Sequence, residues 1–132
     1  MDIKESNRSI MKSFIATLIL CSLMIVGVIA NAIYVNHLSS ELLSRLETLP
    51  STPSADSEPL AQAFLDFWLS HAEWIKLSAG FQATDRITEY VLTILAAIET
   101  NDSYGYRSAM ALIADAVDDL ARHERFSFEN LL

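Results

Sequence analysis

The stretch from Phe14 to Val35, FIATLILCSLMIVGVIANAIYV, constrains this chain more than any other. It has 22 residues and no Asp, Glu, Lys, Arg or His. At 1.5 Å per residue it covers about 33 Å as a helix, enough for a hydrocarbon core of about 30 Å. It reads as a single transmembrane helix. A cleaved secretory signal is the rival reading, because Ala30-Asn31-Ala32 has the small-x-small form of a cleavage site. The apolar run is longer than the about 7–15 residues of a signal core, which favours a retained anchor.

The flanks give the orientation. Lys4, Arg8 and Lys12 precede the run, and only Arg45 follows at comparable distance. The positive-inside rule then places residues 1–13 in the cytoplasm as a tail, 14–35 across the plasma membrane and the rest outside. Asn31 is the one strongly polar side chain near the outer end of the span. It is a candidate for a hydrogen bond to a second transmembrane helix, or it simply reaches the headgroups. Tyr34 fits an interfacial aromatic anchor.

Residues 36–132 carry six Lys or Arg against 15 Asp or Glu, a net charge of −9. Such a domain repels nucleic acid, whose binding depends on neutralising phosphates. It also repels an anionic lipid surface. The sole cysteine, Cys21, lies inside the apolar run, so no disulfide can form within the chain and no paired-cysteine zinc site exists. The 97 residues after the run suffice for one small domain.

Helical periodicity continues past the span. Leu38, Leu42, Leu43 and Leu46 recur at three and four, with Leu49 after them. This predicts a helical stalk over residues 36–49, whose stripe covers either the domain or a partner helix. Residues 50–59, PSTPSADSEP, hold all three prolines and read as a linker. Ser57 before Glu58-Pro59 suits a capped helix start.

Residues 60–132 are then the extracytoplasmic domain. One helix is expected over Glu58–Ser78, with Phe64, Phe67, Trp68, His71, Trp74 and Ile75 on its inner face. Gly80 ends it. A second helix follows, with Thr84 as its expected cap and Ile87, Tyr90, Val91, Ile94, Leu95 and Ile98 as its stripe. Asp102 or Ser103 caps a third, over Tyr104–His123. The apolar tail with Phe126, Phe128 and Leu131 is expected to fold back or dock on a partner. No hairpin signal occurs, so the fold class is all-α. One transmembrane helix continues into a stalk, followed by a small antiparallel domain of three to four helices.

The chemistry-bearing patterns are sparse. No phosphate loop, dinucleotide fingerprint or HExxH occurs, and His37, His71 and His123 are scattered. Asp115, Asp118 and Asp119 read as a solvated helix face, since they lack the glycine-turned loop of an EF-hand. The two sequons, at Asn7 and Asn101, are short patterns that carry little. No catalysis, cofactor or metal is expected.

Trp68 and Trp74, Asp85 with Ile87, Asp102, and Glu124 through Ser127 to Asn130 and Leu131 form a further pattern. In these residues the chain resembles a bacterial family of small single-pass membrane proteins, the domain-of-unknown-function family four-three-six-three. The resemblance runs from about Phe14 to the end. It implies membrane anchoring and a helical ectodomain, and it supplies no catalytic residues. That family commonly has a histidine just before the third helix; here the place reads Phe81-Gln82-Ala83-Thr84.

Two functions are compatible with the sequence. The first is a membrane-anchored interaction or accessory module of a bacterial envelope complex. Its partners would be the bilayer and another membrane protein or a second copy, through Asn31, Leu42, Leu46, Phe126, Phe128 and Leu131. The alternative is an extracytoplasmic ligand-binding or sensing domain with an aromatic pocket of Trp68, His71, Trp74 and Tyr90; the bland version of that cluster is a packed core.

Overall fold

The computed structural model describes residues 2–130, and of Ser127 and Phe128 the backbone only. Within those residues the chain forms four α-helices and no strand. They are α1 (Ile3–Glu47), α2 (Ser57–Ala79), α3 (Phe81–Glu99) and α4 (Ser103–Glu129). The chain divides into two compact units, Met1–Asn31 and Ala32–Leu132.

In the first unit the apolar side chains of α1 point outward on every side. Phe14, Leu18, Leu23, Met24 and Val26 are all exposed. The most apolar window of this helix has a mean hydropathy of 2.5, and none of it is buried. It is the one helix among the described residues long and apolar enough to cross a membrane.

The second unit is a bundle built from the last turns of α1 and from α2, α3 and α4. Its core takes Val35, Leu38, Leu42, Leu46 and Leu49 from the α1 side, and Ala61, Phe64, Leu65, Trp68, Ala72 and Ile75 from α2. From α3 come Ile87, Val91, Ile94 and Ala97; from α4 come Tyr106, Ala109, Ile113, Val117 and Leu120. Each set recurs at three and four residues, the spacing of one helix face. Along the bundle, α3 packs against both α2 and α4. The end of α1 meets α2 through side chains: Arg45 Cζ lies 3.9 Å above the Phe67 ring, and Tyr34 faces His71 at 6.2 Å. Going back along α1 from Arg45 to Tyr34, the contact on α2 advances from Phe67 to His71, so α2 runs antiparallel to these last turns of α1.

The connections follow from local chemistry. α1 closes with Thr48 Oγ1 donating to Arg45 O at 2.6 Å and Leu49 N donating to Leu46 O at 3.1 Å. Pro50 then stops the helix. Ser57 is not the cap of α2. It is fully buried, and its hydroxyl accepts from Ser54 N at 2.9 Å, while Ser57 N donates to Ser54 O at 3.1 Å. The cap position is Asp56, which makes no side-chain cap hydrogen bond, so Ser57 instead pins the preceding loop at Ser54. Tyr106 ties the same loop to α4, its hydroxyl donating to Pro50 O at 2.8 Å.

Gly80 alone connects α2 to α3. Its φ of 87° and ψ of 165° lie in a region that only glycine occupies without strain. Its N–H closes α2 on Lys76 O at 3.1 Å. Thr84 is correspondingly inside α3 rather than at its cap. It is buried and its hydroxyl donates back to Gly80 O at 3.0 Å. Asp102 does cap α4, accepting from Gly105 N at 3.0 Å. α4 itself runs beyond His123 to Glu129, so the tail through Phe126 extends the helix instead of folding back.

Two predictions come from these connections. Gly80→Ala meets no atom in its way, so its cost is the backbone strain alone, about 1–3 kcal/mol. Urea unfolding of the full chain in detergent, followed by circular dichroism, reads it. Burial raises the Tyr106 pKa, with hydrogen bonding to Ser57 acting in the opposite sense. The folded state therefore resists ionisation. Stability from this phenol is complete below the ordinary tyrosine value of about 10 and is lost as pH rises through the higher folded value. Tyr106→Phe flattens that alkaline slope in the same unfolding assay.

Candidate functional site

The structure separates the residues that the sequence pattern grouped. Leu42 and Leu46 are not a free interface. Both are buried, and with Leu38 and Leu49 they form one side of the bundle core. What the stripe covers is this domain itself. Phe126 remains as an interface candidate, 62% exposed on the last turns of α4. The side chain of Phe128 and all of Leu131 lie outside the described residues. Asn31 is half-buried at the end of the first unit.

The aromatic group also divides. Trp68 is wholly buried, and its indole N–H donates to Thr88 Oγ1 at 2.9 Å across to α3. That bond satisfies the only polar atom of the ring. Trp74 is 69% exposed. Two steps of three residues carry it about 120° around the helix from Trp68, off the buried face. The two indoles therefore do not wall one cavity. Tyr90 is half-buried at the edge of the core.

His71 sits in a small surface stack. Its ring centroid lies 4.6 Å from Phe67 and 6.2 Å from Tyr34. Nδ1 lies 2.9 Å from both Phe67 O and Ser70 Oγ. The Ser70 hydroxyl donates to Phe67 O at 2.7 Å. The carbonyl can only accept, and the one hydroxyl proton is already used. Nδ1 therefore carries the proton and donates. A general base at this pair would need the reverse, an imidazole nitrogen accepting from the hydroxyl.

An open cleft of about 400 Å³ lies where the start of α3 faces the end of α4. Ala79, Ala83, Ala116 and Leu120 make its apolar wall, and Gln82, Arg86, Asp119 and His123 its rim. Asp119 faces Arg122 at 3.7 Å, and Arg122 is also bonded to Asp118. The hydrogen bond to Asp118, then the charges of Asp118 and Asp119, raise the Arg122 pKa further. Among the described residues no three His, Cys, Asp or Glu side chains gather closely enough to hold a metal.

One feature was not expected from the sequence. Trp74, Leu77 and Phe81 are all strongly exposed around the Gly80 corner, Leu77 at 81% and Phe81 at 71%. The signal was present: neither Trp74 nor Leu77 falls in the register of Ala61, Leu65, Trp68, Ala72 and Ile75.

No family model, curated protein or solved structure matches the chain.

The two kinds of position predict opposite outcomes. Leu42→Ala should cost about 2–5 kcal/mol as a core truncation. Phe126→Ala should stay within about 0.5 kcal/mol as a surface change. Paired urea titrations of the two variants check this.

Proposed function

We propose that the protein is a single-pass membrane protein whose helical head serves as an interaction or accessory module of a bacterial envelope complex, without catalysis of its own. The observation that carries this reading is the outward-facing apolar surface of the first unit. A helix apolar all round needs lipid or protein on every side, and the chain supplies none there. The cation bias of the tail supports an N-terminus inside and a C-terminal head outside. The resemblance to the small single-pass family fits the same placement.

The partner in this reading is another membrane protein or a second copy. With Leu42 and Leu46 committed to the core, the exposed candidate on the head is Phe126 near the end of α4. The acidic head does not favour nucleic acid.

Protease added to intact spheroplasts should digest the head and leave a short N-terminal fragment in the membrane. Cross-linking in those membranes should yield a heavier species containing the chain. Protection of the head, or a mature product beginning at Ile33, would overturn the topology; a monomer after cross-linking would overturn the module.

A further inference from the structure

The cleft between α3 and α4 exists because small side chains meet there. Along the rest of this pair, Ile87, Val91 and Ile94 on α3 and Ile113 and Val117 on α4 fill the core. At the cleft the wall is Ala83 and Ala116, with Ala79 beside them, and Leu120 is its one large apolar side chain. Methyl groups stand where branched side chains would close the gap. The space left, about 400 Å³, falls in the size range of small-molecule sites, about 300–1,000 Å³.

The rim carries one free charge of each sign. Arg86 lines the cleft from α3 and Asp119 from α4. No ion pair joins the two, and Arg86 forms none with any described residue. Its guanidinium therefore keeps a full fork of donors, the geometry that matches a carboxylate. Asp119 is held only loosely, by Arg122 at 3.7 Å, since the closer bond of Arg122 goes to Asp118. A carboxylate has about four acceptor sites, so Asp119 has capacity for a second cation.

We propose that this cleft binds a free α-amino acid with an aliphatic side chain. Arg86 takes the carboxylate, Asp119 takes the ammonium, and the side chain lies against Ala79, Ala83, Ala116 and Leu120. The charges select a zwitterion. Asp119 repels a plain carboxylate, and Arg86 repels a plain amine. The wall selects the side chain, because it has no Phe, Tyr or Trp to stack on and no hydroxyl to bond a polar group. Burial of the aliphatic group supplies affinity, and the rim charges supply orientation. Every residue involved belongs to the head unit. The inference therefore stands apart from the membrane-anchored reading and adds a ligand to the head.

The test uses the full chain in phosphatidylcholine nanodiscs. L-leucine, 4-methylpentanoate and 3-methylbutylamine are titrated by calorimetry and saturation-transfer NMR. The second ligand is leucine without its ammonium, and the third is leucine without its carboxylate. Leucine should saturate the protein at about millimolar concentration, a range open to so small a ligand. Each of the other two should bind about tenfold more weakly or worse. Arg86→Gln and Asp119→Asn should each weaken leucine by a similar factor. Both positions are exposed, so circular dichroism should show the head still folded, and the comparison of three ligands on the wild-type chain needs no variant. Failure of leucine to saturate would overturn the inference. So would 4-methylpentanoate binding as tightly as leucine, which indicates an anion site only, or an unchanged leucine affinity in either variant. Failure of the topology under protease leaves these titrations unaffected.

Discussion

The head depends on burying the stripe that runs from Val35, the last residue of the apolar run, to Leu49. Val35, Leu38, Leu42, Leu46 and Leu49 close the side of the core that α2, α3 and α4 leave open. A domain of this size buries a modest fraction of its surface, and with no disulfide available its packing must suffice. The segment that looks like a spacer in the sequence is therefore the fourth wall of the bundle. Reach toward a distant partner cannot come from it.

This arrangement also explains why the boundary between the two units matters. The head unit begins at Ala32, and its first buried side chain is Val35. The small-x-small sequence Ala30-Asn31-Ala32 ends at that same boundary. The core is thus the same whether or not the run before it is retained, and retention changes where the head works rather than how it folds. The outward apolar surface of residues 14–31 has no folding role in the head. Its physical reason lies in the solvent it meets, which is what makes lipid the natural reading.

Periodicity made the helices legible. Ile87, Val91 and Ile94, and Tyr106, Ala109, Ile113 and Val117, are where a three-four stripe puts them. Composition alone gave the all-helical class, since three glycines leave little for hairpins. Chemistry near helix ends was less legible, because several residues compete to cap. Asp102 behaves as expected, whereas Ser57 bonds backward to Ser54 and Thr84 bonds backward to Gly80. Trp74 was misplaced for a different reason. A chain of steps of three, from Trp68 through His71 to Trp74, looks helical at each step but drifts around the axis by about 60° each time. Only a register anchored on the small residues Ala61 and Ala72 corrects it. The tail does not fold back as its phenylalanines suggested, because the chain through Phe126 continues α4 as a helix.

The same drift turns an error into a clue. A connection of one residue holds α2 and α3 in close succession, and Gly80 can make it only because its φ is positive. So short a turn leaves no room for the serines and prolines that wet the other end of the head. Whatever flanks Gly80 must meet the surroundings directly, and here the flanking residues are Leu77 and Phe81. Fifteen carboxylates keep the head hydrated and repelled from anionic headgroups.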